Sequence, residues 1–316
     1  MIITYNHEKF IARALESVLA QRANFDFEIV IGEDHSTDRT REILMDFHHR
    51  YPGRIVPLLR KRNLGAMRNL SKTLAACRGD YVALLEADDY WTSDQKLQKQ
   101  VDFLDTHPDI ALCCHRVRFQ YEMHADVLEQ MGIKRVDVFP SHAAGSYTIQ
   151  DLLNGNFIMT CSTVFRRSLV GTLPRWFSKM KLGDWPLFVL VARYGNIELM
   201  DDIMAHYRVH SGGIWSSLSR QNRMEAGIRV LRALTKEVGP QDINVILDII
   251  ARPHLEKAMA AQVNGDRAET ARQLYACMHN GGWQFRGSRR TMLALAAFAL
   301  MGPWYKIFSR KWYQGT

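Results

Sequence analysis

Among the 316 residues of this chain, Leu84-Leu85-Glu86-Ala87-Asp88-Asp89-Tyr90-Trp91 is the most informative segment for its fold. Residues 81–85 form a short apolar run that is typical of a buried strand, and three carboxylates follow within the next four positions. A solvated acidic turn or a helix N-terminus would also explain such a cluster. The leucines before it and Trp91 after it make a freely solvated loop the poorer explanation.

Three carboxylates at this spacing repel one another unless a cation lies between them. Glu86, Asp88 and Asp89 offer oxygen ligands without a neighbouring cysteine, which favours Mg²⁺ or Mn²⁺. Mg²⁺ commonly takes one or two carboxylates from the protein and completes its coordination with substrate phosphates. The cluster therefore predicts a substrate that carries a diphosphate.

Short apolar runs alternate with helical patterns through the first third of the chain. Strands are predicted at residues 1–4, 27–31, 55–59, 81–85 and 110–114, and helices at residues 8–21, 38–51, 66–77 and 95–107. This alternation is typical of βαβ units. The predicted fold class is therefore α/β, with a Rossmann-like, mainly parallel sheet flanked by helices.

Polar residues follow four of these strands: Thr4-Tyr5-Asn6, Glu33-Asp34, Asn63 and the acidic cluster after Leu85. Ligands of open α/β sheets bind beyond the carboxyl ends of the strands. We therefore expect these residues to line one edge of the sheet and to form a single site.

The turn after the second strand contains two acids with no simple structural explanation. Asp38 suits a helix N-terminus, with Ser36 or Thr37 as the cap. Glu33 and Asp34 remain, and a carboxylate there is suited to accept the imide N–H of a uracil or thymine ring. A calcium loop of the EF-hand type is excluded, because the required glycine and distal glutamate are missing.

Beyond residue 115 the pattern is less regular and then becomes helical. Gly183-Asp184-Trp185 precedes a predicted helix at 187–194, and a strand at 203–209 leads into Ser211-Gly212-Gly213. Further helices are predicted at residues 224–238, 242–251, 254–264 and 267–279. We expect one α/β domain over residues 1–217 and a helical C-terminal region over residues 218–316.

Composition excludes several classes of protein. Hydrophobic residues make up 47% and charged residues 23%, which excludes collagen, a coiled-coil rod and general disorder. The five cysteines form no C-x-x-C pair, which favours a reducing, cytoplasmic compartment. No apolar run reaches the roughly 18 residues of a membrane-spanning helix, and no signal peptide is recognisable. Three residues precede Thr4, so a short first strand is expected, and a start further upstream is left open.

The net charge of +8 is concentrated at the end of the chain. Residues 286–316 contain six bases and no acid, interleaved with aromatic residues. Such a tail suits peripheral contact with the anionic inner face of a cell membrane, and a C-terminal helix packed on the domain is the alternative. A nucleic-acid partner is not expected, because the charge is confined to the tail and no nucleic-acid-binding motif is present.

Several motifs together resemble those of glycosyltransferase family 2, whose members have the GT-A fold and transfer a sugar from a nucleotide diphosphate. The motifs are T-Y-N, E-D-H-S-T-D, N-L-G-x-x-x-N, L-L-E-A-D-D-Y-W, G-D-W and Y-R-V-H-S-G-G-I-W-S, in the family's order. The resemblance covers residues 1–217. It implies a nucleotide-sugar-binding half at residues 1–115 and an acceptor half at residues 116–217.

The resemblance implies roles for the residues at the strand ends. Thr4 and Asn6 match the turn that touches the nucleotide. Glu33 matches the acid that reads the base, and Asp34 matches the neighbouring acid that supports it. Asn63 matches the segment beside the nucleotide.

The resemblance also implies a metal ligand and a catalytic base. Glu86 and Asp88 match the D-x-D motif, so Asp88 would hold Mg²⁺ or Mn²⁺, and Glu86 would contact ribose or a metal-bound water. Asp184 matches the base on the acceptor side. Glutamate replaces the usual aspartate at Glu33 and Glu86, and Gly183 stands where the family often has a second acid.

The segment around the predicted strand at 203–209 supplies further candidates. His206, Arg208 and His210 would share one face of that strand. Arg208 and His210 are predicted to contact the diphosphate, with the metal as an alternative partner for His210, whereas His206 is predicted to be structural. Trp215 could close over the donor as a lid, and Trp185 could pack in the core or stack on an acceptor sugar.

These inferences predict a metal-dependent, inverting glycosyltransferase. It would move a sugar from a UDP- or dTDP-sugar to a glycan or lipid-linked acceptor in bacterial surface polysaccharide synthesis. A catalytically inactive nucleotide-sugar-binding scaffold is one alternative. A sugar nucleotidyltransferase is another, although its glycine-rich phosphate loop after the first strand is absent.

Overall fold

A computed structural model describes residues 1–130, residues 135–279 and five positions between 292 and 300. The six bases and the aromatic side chains of the predicted tail lie outside the described residues, and so does the prediction of membrane contact that depends on them. The chain forms two compact units, Met1–Ala233 and Leu234–Thr316. No helix in the described part of the chain is both long enough and apolar enough to cross a membrane.

The strands of the described residues all lie in the first unit. They are β1 (Ile2–Thr4), β2 (Ile29–Glu33), β3 (Ile55–Leu59), β4 (Tyr81–Ala83), β5 (Leu85–Glu86), β6 (Tyr90–Trp91), β7 (Ile110–Tyr121), β8 (Val138–Phe139), β9 (Gly145–Tyr147), β10 (Val164–Arg166) and β11 (Asn196–Val209).

The helices connect these strands and continue into the second unit. They are α1 (Ile11–Leu19), α2 (Thr40–Arg50), α3 (Ala66–Leu74), α4 (Lys96–Thr106), α5 (Ala125–Gln130), α6 (Ile149–Asn154), α7 (Asp184–Ala192), α8 (Arg220–Leu234), α9 (Pro240–Val263) and α10 (Arg267–His279).

Two sheets form the first unit. The first sheet is parallel, in the order β3-β2-β1-β5, which confirms the predicted α/β fold class. The second sheet is mixed, in the order β4-β10-β7-β11-β6. In it β7 and β11 run parallel to each other, and the other pairs are antiparallel. Helix α1 places Ile11, Leu15 and Val18 in the core of the first sheet, as its helical spacing predicts.

The apolar run at residues 81–85 is divided between the two sheets, so the prediction of one strand there is wrong. β4 pairs with β10, whereas β5 pairs with β1. The crossing occurs at Leu84, whose N–H donates to Thr163 O at 3.1 Å, while the N–H of Leu85 donates to Met1 O at 3.1 Å. Hydrophobic periodicity cannot reveal such a change of partner, because both halves are buried.

Two other local predictions are corrected. Ser36 and Thr37 do not cap α2: Asp38 Oδ1 accepts the Thr40 N–H at 3.0 Å instead. The helices predicted at 242–251 and 254–264 are one helix, α9, which continues through Pro253. Leu255 and other side chains on both sides of this proline pack in one core cluster with α10, and their burial offsets the proline's cost of about 3 kcal/mol.

Candidate active site

The carboxyl ends of β1, β2 and β5 meet at one edge of the parallel sheet. Thr4 stands opposite Glu33, and Ile3 stands opposite Glu86. The predicted grouping of strand-end residues is therefore confirmed for these three strands. Thr4 is buried, and its Oγ1 lies 3.3 Å from Nδ1 of His7.

Asp88 lies beside two histidines from different parts of the chain. Its Oδ2 is 3.0 Å from Nε2 of His210 and 4.0 Å from Nε2 of His7. Burial opposes ionisation of Asp88, but the hydrogen bond to His210 and the proximity of His7 hold the pKa of Asp88 below its ordinary value. The carboxylate is therefore kept ionised and ready to act as a ligand.

Glu86 and Asp89 differ from Asp88, because their carboxyls favour the protonated form. Burial, followed by the charge of Asp88, raises the pKa of both carboxyls well above the ordinary value. Oδ2 of Asp89 is buried and has no hydrogen-bond partner among the described residues. The cluster thus contains more carboxyls than the surrounding protein can stabilise in the ionised form.

The residues present fit a divalent cation whose coordination is completed by substrate. In the described part of the chain, no three His, Cys, Asp or Glu side chains are arranged to hold a metal by themselves. Asp88 with His210 supplies one carboxylate and one imidazole, which suits Mn²⁺ and is short of a full coordination sphere. Phosphate oxygens of a nucleotide would supply the remaining ligands.

Arg208 holds the acidic turn against the end of β11. Its backbone N–H donates to Asp89 Oδ1 at 2.7 Å, and its guanidinium donates to Asp88 O at 2.7 Å. The guanidinium lies over the rings of Tyr90 and Phe10, at 4.5 Å and 5.2 Å, and the side chain is 10% exposed. In this geometry Arg208 positions Asp88, and its predicted contact with the diphosphate stays a prediction.

His206 and His210 differ in role. His206 stacks on Tyr90, with Nδ1 3.1 Å from the hydroxyl, in agreement with a structural function. β11 ends at Val209, so His210 begins the following loop rather than continuing the strand face. This position allows His210 to reach Asp88.

Glu33 is engaged within the protein. Oε1 accepts the Ser36 N–H at 2.6 Å, Oε2 pairs with Arg41 at 2.5 Å, and the side chain is 0% exposed. Direct reading of a base by Glu33 therefore stays a prediction that requires this ion pair to open. Sequence patterns do not single out Arg41, because it is the second residue of α2 and stands among other charged residues.

Asp34 and Asn63 shape the loop that leads into α3. Asp34 Oδ1 and Oδ2 accept the N–H groups of Leu64 and Gly65 at 2.8 Å and 2.9 Å. Asn63 is exposed, and its Oδ1 accepts the Gly65 N–H at 2.9 Å. Asp34 thus holds this loop in place and Asn63 faces the surface, and their roles beside the nucleotide stay predictions.

Asn6 is exposed and has a left-handed backbone, with φ of 56°. Its Oδ1 accepts the Thr37 N–H at 2.8 Å, and its own N–H donates to Ser36 Oγ at 3.0 Å. These bonds join the turns that follow β1 and β2.

Asp184 is the first residue of α7, with Gly183 at the N-cap. Burial raises the pKa of Asp184, although the Trp185 N–H and its own N–H oppose this effect. Nδ2 of Asn156 donates to Oδ2 of Asp184 at 3.2 Å. The negative charge of Asp184 contributes to the raised pKa of Glu86, so the two carboxyls face a common region.

Close packing explains the glycine before Asp184. A Cβ at Gly183 would lie 2.0 Å from Sδ of Met67 and 3.3 Å from the Phe177 ring. A second acid cannot stand there without displacing Met67. Trp185 packs in the protein, since its Nε1–H donates to Leu152 O at 2.9 Å.

Sequence reasoning missed three residues of this region: His7, Asn156 and Tyr207. Tyr207 is half-buried among the carboxylates, and burial with the charges of Glu86 and Asp89 raises its pKa well above the ordinary value. A usable signal exists for two of them. His7 directly follows the Thr4–Asn6 turn, and Tyr207 lies within the Y-R-V-H run, next to Arg208.

Comparison with known proteins supplies the family. Residues 1–173, more than half of the chain, match the family model described as glycosyl transferase family 2. The chain belongs to glycosyl transferase family 2. An uncharacterised protein of Mycobacterium tuberculosis (strain H37Rv) is 39% identical to this chain over 222 residues, which are 70% of this chain. This chain spans about three fifths of the length of such relatives, 61% in that case.

Two solved structures share the fold of this family 2 chain. The crystal structure of Staphylococcus aureus TarS 1-349 in complex with UDP has a TM-score of 0.61 and 15% identity, over 100% of this chain and 91% of the other. A Pyrobaculum calidifontis mannosyltransferase in complex with GDP-Man and Mn²⁺ has a TM-score of 0.58 and 17% identity, over 98% and 81%. At 15% and 17% identity, this likeness shows a shared GT-A-like fold and no more than the fold.

Proposed function

We propose that this chain is a metal-dependent, inverting glycosyltransferase. It transfers a sugar from a UDP- or dTDP-sugar to a glycan or lipid-linked acceptor in bacterial surface polysaccharide synthesis. The observation that carries the proposal is the contrast between two carboxyls, Asp88 and Asp184, whose charges both act on Glu86. Asp88 is held ionised by His210, while burial raises the pKa of Asp184.

The donor side has the parts needed to bind a nucleotide diphosphate. Asp88 and His210 would hold Mg²⁺ or Mn²⁺, which offsets the negative charge that develops on the leaving diphosphate. Arg208 fixes the Asp88 carbonyl and keeps the acidic turn in place. The surface-facing residues Asn6 and Asn63 are available to the nucleotide at the adjoining strand ends.

The acceptor side has a suitable base. In an inverting transfer, the bond from the anomeric carbon to the acceptor oxygen forms as the bond to the diphosphate breaks. The acceptor proton passes to Asp184, whose raised pKa makes it a stronger base than a solvated carboxylate. The hydrogen bond from Asn156 orients Oδ2, and general base catalysis of this type contributes about 10²–10⁴-fold in rate.

Donor binding tests this proposal most simply. The affinity of the protein for UDP-, dTDP- and GDP-sugars is measured by calorimetry with Mn²⁺, with Mg²⁺ and with EDTA. We expect one donor to bind only when a divalent metal is present. GDP-sugars are included because the two structural neighbours bind different nucleotides.

Nucleotide release distinguishes an enzyme from a binding scaffold. The donor that binds is incubated with metal, and liberation of the nucleoside diphosphate is followed over time. Slow hydrolysis is expected, since water can replace the acceptor. Binding without any release, in the presence and absence of candidate acceptors, would support the catalytically inactive scaffold.

A further inference from the structure

A cavity of about 400 Å³ lies beside the donor region. Its walls come from the start of α3, from residues 178–181 and from the loop at 212–218. Met67 lines the cavity and also packs against the backbone of Gly183, the residue before the proposed base. Gly212 lines it two residues after His210. The cavity therefore adjoins both halves of the proposed catalytic region.

The lining has a distinct chemical character. Arg68 and Lys181 are its cations, and none of the described residues that line it is acidic. Both side chains are exposed, and neither has an ion-pair partner in the described part of the chain. An unneutralised pair of cations facing a cavity is complementary to an anionic ligand.

The remaining wall is largely apolar. Met180 and Leu218 are half-buried in it, and Ile214 is 52% exposed at its edge. Trp215, next to Ile214, is 47% exposed. Large apolar side chains exposed beside cations fit a ligand that joins an anionic group to an apolar chain.

We propose that this cavity binds the acceptor, and that the acceptor is an amphiphile carrying a phosphate. Lys181 pairs with the phosphate, and the apolar part lies along Met180, Ile214 and Leu218. The inference rests on the proposed transferase function and narrows its acceptor class. None of the residues predicted to bind the donor is among the described residues that line the cavity, which favours acceptor phosphate over donor phosphate.

The test uses geranyl phosphate as the probe, with geraniol and inorganic phosphate as comparisons. Binding to the full-length chain is measured by calorimetry, both alone and with saturating UDP and Mn²⁺. We expect geranyl phosphate to bind in both conditions, at least tenfold more tightly than either comparison compound. Displacement by UDP would place the phosphate in the donor site and would overturn the proposal, as would equal binding of geraniol or inorganic phosphate.

A matched pair of variants locates the site. Lys181→Gln removes the cation in the cavity, whereas Lys179→Gln removes an exposed lysine that is not part of the lining. Geranyl phosphate should bind about tenfold more weakly to Lys181→Gln and normally to Lys179→Gln, and UDP affinity should be unchanged in both. Equal affinities of the two variants for geranyl phosphate would overturn this inference and would leave the proposed function standing. Failure of the wild type to bind UDP would instead count against the proposed function.

Discussion

Asp184 shows how burial at a helix N-terminus can set the strength of a base. Its side chain is half-buried and receives one side-chain hydrogen bond, from Asn156. Desolvation exceeds the stabilisation by the α7 amides, so the pKa of Asp184 is raised. In the proposed mechanism the ionised form of Asp184 is the active one.

The raised pKa of Asp184 predicts how turnover falls at low pH. As pH falls through the raised pKa of Asp184, the base becomes protonated and turnover is lost at a higher pH than for an ordinary carboxyl. Donor hydrolysis is measured across pH for the wild type and Asp184→Asn. The acid limb should be present in the wild type and absent from the residual rate of the variant. An identical limb in both would assign it to another group.

Asp89 is predicted to destabilise the metal-free protein at neutral pH. Because its folded pKa is raised, the folded state binds a proton more tightly than the unfolded state, and stability falls as pH rises toward that pKa. Asp89→Asn can still accept the Arg208 N–H through Oδ1. It should raise Tm at pH 8 by about 2–4 °C, on the order of 1 kcal/mol, with a smaller gain at pH 5. A lower Tm at pH 8 would contradict this account of the cluster.

Gly183 provides a packing test at the same scale. Gly183→Ala places a methyl against Met67, where the Cβ–Sδ separation would be 2.0 Å. Overpacking of this kind costs about 1–3 kcal/mol, and urea unfolding measures it. Gly155→Ala is the control, because nothing lies within 4 Å of its added Cβ and its φ is an extended 172°. Equal stabilities of the two variants would show that Met67 moves aside freely.

At the scale of elements, the end of β11 and the turn after β5 form one unit. Arg208 bonds to Asp88 and Asp89 simultaneously, through its side chain and its backbone. Two aromatic rings hold the guanidinium in place. The geometry of the proposed metal ligand therefore depends on a strand that is remote in sequence.

Arg208→Met should loosen this connection without removing a ligand. Loss of a charged hydrogen bond costs about 1.5–3 kcal/mol, so metal-dependent donor binding should weaken by roughly ten- to a hundredfold. Arg118→Met is the control, because Arg118 lies on the neighbouring β7 and makes an exposed ion pair with Asp137 at 3.5 Å. Calorimetric titration with donor and Mn²⁺ compares them. Unchanged affinity in Arg208→Met would show that the turn holds its shape alone.

At the scale of the whole molecule, local patterns predicted the sheet edge well. The polar residues after β1, β2 and β5 come together because parallel strands end at the same edge. The division of residues 81–86 between two sheets could not be predicted, since it depends on which distant strand each half pairs with. The ion pair of Glu33 with Arg41 and the contact of Arg208 with Asp88 are likewise tertiary, and hydrophobic periodicity carries no information on them.

In the proposed mechanism Asp88 serves the donor and Asp184 serves the acceptor. The most direct test measures donor affinity and nucleoside diphosphate release for the wild type, Asp88→Asn and Asp184→Asn with Mn²⁺. We predict that Asp88→Asn loses metal-dependent binding, whereas Asp184→Asn binds normally and releases nucleotide about 10²–10⁴-fold more slowly. Undiminished release by Asp184→Asn, or no binding of any nucleotide sugar by the wild type, would contradict the account.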